Sequence, residues 1–213
     1  IIWAMPRLGT FNLHASLLPQ YRGAAPINWA IINGEQETGV TTFLLNHEID
    51  KGDILGQSRV QILPGDNVGS LHDKLMETGT DLVVRTVEKI AVGDTAPIPQ
   101  PQTETTGLKG APKIFKETCR IDWTQGCNEI NNLIRGLSPY PAAWTELVRG
   151  ESASILKIYT VEPEPSPHQE QPGTIRSDNK QIFKVACGDG YIRITELQLA
   201  GKKRMHADEL LRG

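Results

Sequence analysis

The amino-acid sequence predicts an α/β protein built from two parts. Residues 9–92 mix apolar, β-branched runs with one long amphipathic stretch, which is typical of strands and a helix. Residues 142–199 contain short alternating runs separated by turn residues, which is typical of a small β-barrel or sandwich. A segment rich in proline lies between the two parts, at residues 94–112.

The first part begins with short elements. Three runs predict strands, at residues 9–15, 39–45 and 54–63. Residues 25–33 predict a short helix that ends at Gly34, because glycine readily adopts the left-handed conformation that follows many helices.

The longest predicted element is a helix over residues 69–92. Ser70 and Asp73 resemble a capping box at its start, and Gly93 is placed to end it. One helical stripe is apolar and predicts the face that packs on the sheet: Leu71, Leu75, Leu82, Val83, Val87 and Ile90.

The proline-rich segment divides the chain. Its four prolines exclude a helix interior or a central strand, so residues 96–113 predict an extended linker between domains at 1–95 and 114–213. A cut after residue 107 leaves seven basic and twelve acidic residues before it, and fifteen basic and thirteen acidic residues after it. The net charges are therefore −5 and +2. This difference suggests a polyanion contact in the second part, although a charge of +2 is small enough to arise by chance.

The second part is predicted to be mostly β. Residues 125–135 predict one helix. Five runs predict strands, at residues 142–148, 154–162, 173–177, 182–188 and 191–199.

Composition narrows the class of protein. With 38% hydrophobic residues, 22% charged residues and a net charge of −3, the chain has the ordinary make-up of a soluble globular protein. It contains no uncharged apolar run of roughly 18 residues, which a membrane-spanning helix needs. Cys119, Cys127 and Cys187 are odd in number and lack metal-type spacing, so we expect a reducing compartment, the cytoplasm.

Three polar residues form the candidate catalytic site: Asn12, His14 and Asp50. Asn12 and His14 are two residues apart on a predicted strand, which puts their side chains on one face. Asp50 lies in a turn between two predicted strands. An imidazole that shuttles a proton, a carboxylate that orients it and an amide that donates to an oxyanion suit acyl transfer. From spacing alone, a structural histidine is the commoner interpretation.

Other catalytic patterns are absent from the sequence. Ser16 lacks a G-x-S-x-G context, no glycine-rich phosphate loop occurs, and the five histidines show no metal-ligand spacing. The site therefore favours direct transfer between two bound substrates.

Residues 11–30, 34–43 and 47–55 resemble the core motifs of the 10-formyltetrahydrofolate-dependent formyltransferases. The resemblance implies the second half of a Rossmann-like formyltransferase domain. It also implies that Asn12, His14 and Asp50 are catalytic, with Gly52 completing the turn of Asp50. The run Ser16, Leu17, Leu18 and Pro19 matches the folate-contacting segment. The co-substrate implied is 10-formyltetrahydrofolate, and no metal is required.

The C-terminal part distinguishes between branches of this family. Residues 117–123, 137–144 and 185–205 resemble the branch that formylates the α-amine of methionyl-initiator tRNA during translation initiation, which implies an OB-like β-barrel. The implied tRNA-binding residues form basic clusters: Lys113, Lys116, Lys202, Lys203 and Arg204. A sugar-nucleotide formyltransferase and a fragment that only binds RNA are the alternatives.

Family members carry about half of the catalytic domain ahead of the strand with Asn12 and His14. The resemblance therefore implies that this chain is a C-terminal fragment, and we expect little activity from it alone.

Overall fold

The computed structural model describes residues 4–101 and 107–212. The chain forms two compact units, residues 1–30 with 35–114 and residues 31–34 with 115–213. The predicted α/β fold class is confirmed. No helix in the described ranges has the length and apolar character needed to cross a bilayer.

The described residues up to Ile114 form five strands and two helices. They are β1 (Phe11–His14), β2 (Arg22–Gly23), α1 (Pro26–Ile32), β3 (Glu37–Leu44), β4 (Ile54–Gln61), α2 (Val68–Val92) and β5 (Gly110–Ala111). A three-stranded sheet has the order β1-β3-β4, and both pairs are antiparallel. β2 and β5 form a short parallel pair.

Helix α2 packs closely on one face of this sheet. A Cβ at Gly79 would lie 2.7 Å from Leu13 Cδ2, so the helix approaches β1 where it has no side chain. The hydroxyls of Thr86 on α2 and Thr42 on β3 are 2.9 Å apart. The predicted stripe is partly wrong, because Val87 is 50% exposed while Gly79 and Thr86 are buried. Because α2 lies so close to the sheet, small or hydroxyl-bearing residues occupy positions 79 and 86, and an apolar pattern does not identify them.

The ends of α2 show one difference from the prediction. Gly93 ends the helix in the left-handed conformation, as predicted. The predicted start at residue 69 is one residue from the observed start at Val68, but the cap is wrong: Asn67, not Ser70, is the N-cap. The Asn67 side chain accepts from Ser70 N–H, and Ser70 Oγ accepts from Asn67 N–H. Asparagine caps helices as well as serine does, so composition alone does not separate the two.

The described residues of the proline-rich segment bond to the first unit. Ile98 and Ile54 exchange two backbone hydrogen bonds of 2.8 and 2.9 Å. Gln100 is 4% exposed, and β5 pairs with β2. The described residues of the predicted linker therefore bond to the first unit at Ile98, at Gln100 and through β5.

The second unit is an antiparallel sheet with a helix packed on it. Its helices are α3 (Cys127–Leu137) and α4 (Ala207–Arg212), and its strands are β6 (Ala143–Arg149), β7 (Ser152–Pro165), β8 (Ile175–Ser177), β9 (Phe183–Ala186), β10 (Gly190–Leu199) and β11 (Met205–His206). The strand order is β6-β7-β10-β9-β8, and β11 pairs with β10. Ile130, Ile134 and Leu137 of α3 are buried, and the helix packs on β7 and β10.

Candidate active site

Strand β1 carries two of the three predicted catalytic residues. Asn12 is paired with Phe43 and His14 with Thr41 in the antiparallel register. Both project from the face opposite Leu13, the residue that meets α2. Asn12 is exposed, whereas His14 is only 7% exposed. The strand therefore presents an open amide beside a buried imidazole.

The two ring nitrogens of His14 face different groups. Nε2 donates a 2.9 Å hydrogen bond to the carbonyl oxygen of Tyr21. Because a carbonyl only accepts, Nε2 must carry the hydrogen in this arrangement. Nδ1 lies 3.8 Å from Asp50 Oδ2, which is longer than a hydrogen bond but within ion-pair distance. The fold thus brings together two predicted residues that are far apart in sequence.

Tyr21 is held in place from both sides. Its backbone is left-handed (φ 57°), and its N–H donates to Lys109 O at 2.7 Å. Its hydroxyl donates to Glu35 at 2.6 Å, and Lys109 pairs with the same carboxylate at 2.7 Å. Burial raises the pKa of Glu35, but the hydrogen bonds from Lys109 and Tyr21 outweigh it and the net shift is downward. An ionised Glu35 therefore helps to fix the carbonyl that orients His14.

The turn that carries Asp50 is tightly constrained. Asp50 adopts a left-handed conformation (φ 54°), which aspartate tolerates better than most residues. Its Oδ2 accepts a 2.9 Å hydrogen bond from Gly23 N–H. A Cβ at Gly52 would lie 1.6 Å from Leu44 O, and one at Gly23 would lie 2.5 Å from Ala111 O. Both positions therefore require glycine for the carboxylate to reach His14.

Gln100 supports the same turn, although the sequence pattern did not identify it as part of the site. Its Nε2 donates to the carbonyls of Asp50 at 3.0 Å and Gly52 at 2.7 Å. Its Oε1 accepts from Arg22 Nε at 3.2 Å and Nη2 at 2.7 Å. Arg22 thus bonds to a neutral amide. Gln100 lies in a segment with linker composition, so no local signal identified it.

The segment predicted to contact folate is largely packed inside the first unit. Ser16 is fully buried, and its hydroxyl donates to Gln20 O at 2.6 Å. Leu18 is also buried, while Leu17 and Pro19 are half-buried. Thr41 Oγ1 donates to Ser16 O at 2.6 Å. The hydroxyl of Ser16 therefore has a structural partner, and the open surface belongs to Leu17 and Pro19.

The predicted tRNA-binding residues have different surroundings. Lys113, Lys116, Lys202 and Lys203 are exposed. The Lys116 ammonium lies 5.5 Å from the centre of the Trp144 ring. Arg204 donates to Glu196 at 2.6 Å and lies 4.3 Å from the Tyr159 ring, so its charge is already partnered.

Comparison with known families places the chain in a class of enzymes. The family described as formyl transferase matches residues 1–87, and the formyl transferase C-terminal domain matches residues 113–213. The chain thus has the domains of a formyl transferase.

Curated relatives make the assignment more specific. The methionyl-tRNA formyltransferases of Phocaeicola vulgatus and Bacteroides fragilis (strain YCH46) are 59% and 57% identical to this chain over 216 and 215 residues. Each match covers 100% of this chain and 67% or 66% of the relative. The chain belongs to the methionyl-tRNA formyltransferase family, and it spans about two thirds of the length of these relatives.

Solved structures are similar in fold. HypX from Aquifex aeolicus, in complex with tetrahydrofolic acid, aligns with a TM-score of 0.70 at 22% identity, covering 95% of this chain and 35% of that one. The Mycobacterium tuberculosis protein Rv3404c, described as a likely sugar N-formyltransferase, aligns with a TM-score of 0.60 at 26% identity, covering 74% of this chain and 66% of that one.

Proposed function

We propose that the protein to which this chain belongs transfers a formyl group from 10-formyltetrahydrofolate to the α-amine of methionyl-initiator tRNA. The observation that carries the proposal is the pair of His14 and Asp50, 3.8 Å apart beside the exposed Asn12. Family membership at 59% identity supports it. Translation initiation, and hence the cytoplasm, is where this reaction is expected.

The proposed roles follow from the chemistry of each side chain. The methionine amine forms a bond to the formyl carbon, and the Asn12 amide and a protonated His14 stabilise the resulting oxyanion. Asp50, which faces His14 Nδ1, stabilises the imidazolium. When the bond from the formyl carbon to the folate nitrogen breaks, the proton from the amine passes to that nitrogen with the help of His14 and Asp50. This chemistry needs positioning and charge rather than a covalent intermediate.

Substrate binding is divided between the parts of the chain in this proposal. Residues 1–95 supply chemistry, 96–113 connect, and 114–213 bind RNA. Leu17 and Pro19, with backbone atoms of the Ser16–Pro19 run, contact the folate. Lys113, Lys116, Lys202 and Lys203 contact phosphates, whereas Arg204 contributes less because Glu196 partners it.

Formylation assays with the full-length protein test the activity. We expect transfer to methionyl-tRNA and none to an amino-sugar nucleotide. Transfer only to the sugar nucleotide would reassign the substrate. Binding of tRNA without transfer to either acceptor would leave only an RNA-binding role.

Charge reversal tests the RNA contacts. Lys202→Glu should raise the KM for tRNA and reduce the salt dependence of binding by about one unit of slope per lost phosphate contact. Lys180→Glu is the matched control, because Lys180 is also exposed in the same unit but lies outside the clusters. If both variants change the KM for tRNA and the salt dependence equally, Lys202 makes no specific phosphate contact.

A further inference from the structure

Two cysteines that lie sixty residues apart in sequence meet in the second unit. Cys127 is the first residue of α3, and Cys187 follows β9. Both side chains are buried, and their Sγ atoms are 3.4 Å apart. Asp189, which is exposed, joins them, so one atom from each of the three residues lies within 4.8 Å of the others. We propose that these three residues form a binding site for a zinc-like divalent cation.

The turn after β9 is shaped so that these groups converge. A Cβ at Gly188 would lie 2.5 Å from Thr124 O, and one at Gly190 would lie 2.9 Å from Cys127 Sγ. Asp189 Oδ1 accepts a 2.7 Å hydrogen bond from Cys127 N–H. His168 Nε2 donates to the carbonyls of Cys187 and Gly190 at 2.9 and 2.8 Å. The protein therefore holds the donor atoms together through its own contacts.

A second carboxylate, that of Glu129, lies close to these donor atoms. If Gly126 had a Cβ, that atom would lie 2.6 Å from Glu129 Oε2 and 3.0 Å from Asp189 Oδ2. Both carboxylates thus lie against the same face of Gly126, although Glu129 is outside the group of donor atoms that lie within 4.8 Å of one another. Both carboxylates are exposed, so a cation can enter from solvent. Glu129 is the candidate for the fourth ligand.

The donor set and its geometry suit zinc better than a hard cation. Zinc takes thiolate and carboxylate ligands in tetrahedral sites, with a Zn–S distance of about 2.3 Å. Tetrahedral geometry at that distance separates two sulfurs by roughly 3.8 Å. The observed 3.4 Å needs an adjustment of only a few tenths of an ångström. Magnesium and calcium prefer oxygen ligands alone.

The occupied site would carry a net negative charge. Binding releases both thiol protons to water, so that two thiolates and two carboxylates surround a doubly charged ion. The excess negative charge lies at the N-terminus of α3, where the helix dipole stabilises anions. The ion would cross-link α3 to the turn between β9 and β10 and so stabilise the second unit.

Zinc titration of the chelator-treated chain tests the site. We expect one equivalent of Zn²⁺ to bind in competition with a chromophoric chelator, and Co²⁺ to give a thiolate-to-cobalt charge-transfer band. Cys127→Ser and Cys187→Ser should each weaken binding at least ~10-fold, the scale expected when part of a metal site is lost. Cys119→Ser is the matched control, because that buried thiol bonds to Phe115 O instead.

Each outcome decides the proposal. Lack of zinc uptake by the wild-type chain overturns it, as does equal uptake by the Cys119→Ser and Cys127→Ser variants. If a cysteine variant does not fold, Asp189→Asn replaces it, since an asparagine oxygen still accepts from Cys127 N–H while the ligand charge is lost. Unchanged zinc affinity in that variant would also overturn the proposal. These measurements do not depend on formyl transfer.

Discussion

Replacing Gln100 by alanine tests how far this side chain stabilises the turn that carries Asp50. The variant leaves the carbonyls of Asp50 and Gly52 and the guanidinium of Arg22 without the amide that now joins them. Two lost hydrogen bonds, to the buried Gly52 carbonyl and the part-buried Asp50 carbonyl, at about 1 kcal/mol each, and the weakened anchoring of Arg22 give a loss of about 2–4 kcal/mol in the free energy of unfolding. Displacement of Asp50 by as little as about 1 Å can lower turnover by up to ~100-fold.

The kinetic result separates positioning from stability. Gln100→Ala should lower kcat with little change in KM, because Gln100 acts through Asp50. Gln57→Ala is the control, since its amide donates instead to Leu18 O in the Ser16–Pro19 run at 2.8 Å and to Thr41 Oγ1 on β3 at 2.9 Å. That variant should mainly raise the KM for folate. Formylation kinetics of the full-length protein and urea denaturation provide both readouts. A destabilised Gln100→Ala protein with wild-type kcat would show that Gln100 does not position Asp50 for catalysis.

Three further predictions concern stability, each measured by urea denaturation of the chain. Gly79→Val should cost about 1–3 kcal/mol by forcing Leu13 away from α2, whereas Gly65→Ala, with open space around it, should be nearly neutral. Asn67→Ala should cost about 1 kcal/mol by removing the cap of α2, and an unchanged midpoint would mean that Ser70 alone is sufficient. Backbone hydrogen bonds from Ile182, Gln181 and Lys180 lower the pKa of Asp178 to about 2. Because the pKa of Asp178 is lower in the folded state, the ionised carboxylate stabilises the fold fully above the ordinary value of about 3.9, and this stabilisation is lost as pH falls toward 2. Between pH 5 and pH 3, Asp178→Ala should therefore lose less stability than the wild-type chain.

Sequence patterns predicted the end of the long helix and the strand of the candidate site, because each depends on residues that are neighbours along the chain. The end of α2 at Gly93 needs only a residue that adopts φ 73°. The strand that carries Asn12 and His14 follows from alternation over a few residues. The buried Thr86 and Gly79 could not be predicted in this way, because their burial depends on how closely α2 approaches β1 and β3.

The parts of the candidate sites that were missed depend on contacts between distant residues. Gln100 acts on a turn that lies 48 to 50 residues earlier, within a segment whose composition indicates only a linker. Cys127 and Cys187 show no metal spacing because sixty residues separate them, and only the sheet of the second unit brings them together. A sequence pattern reports neighbours along the chain, whereas these contacts are made by the fold.

The most direct test of the account is the turnover of His14→Ala in the full-length protein. We expect kcat for methionyl-tRNA formylation to fall at least ~100-fold, the usual scale for loss of acid–base help, with the protein still folded. His47→Ala is the matched control, because His47 is exposed in the same unit, and it should keep wild-type turnover. Near-normal turnover of a folded His14→Ala protein would contradict the assignment of the catalytic site.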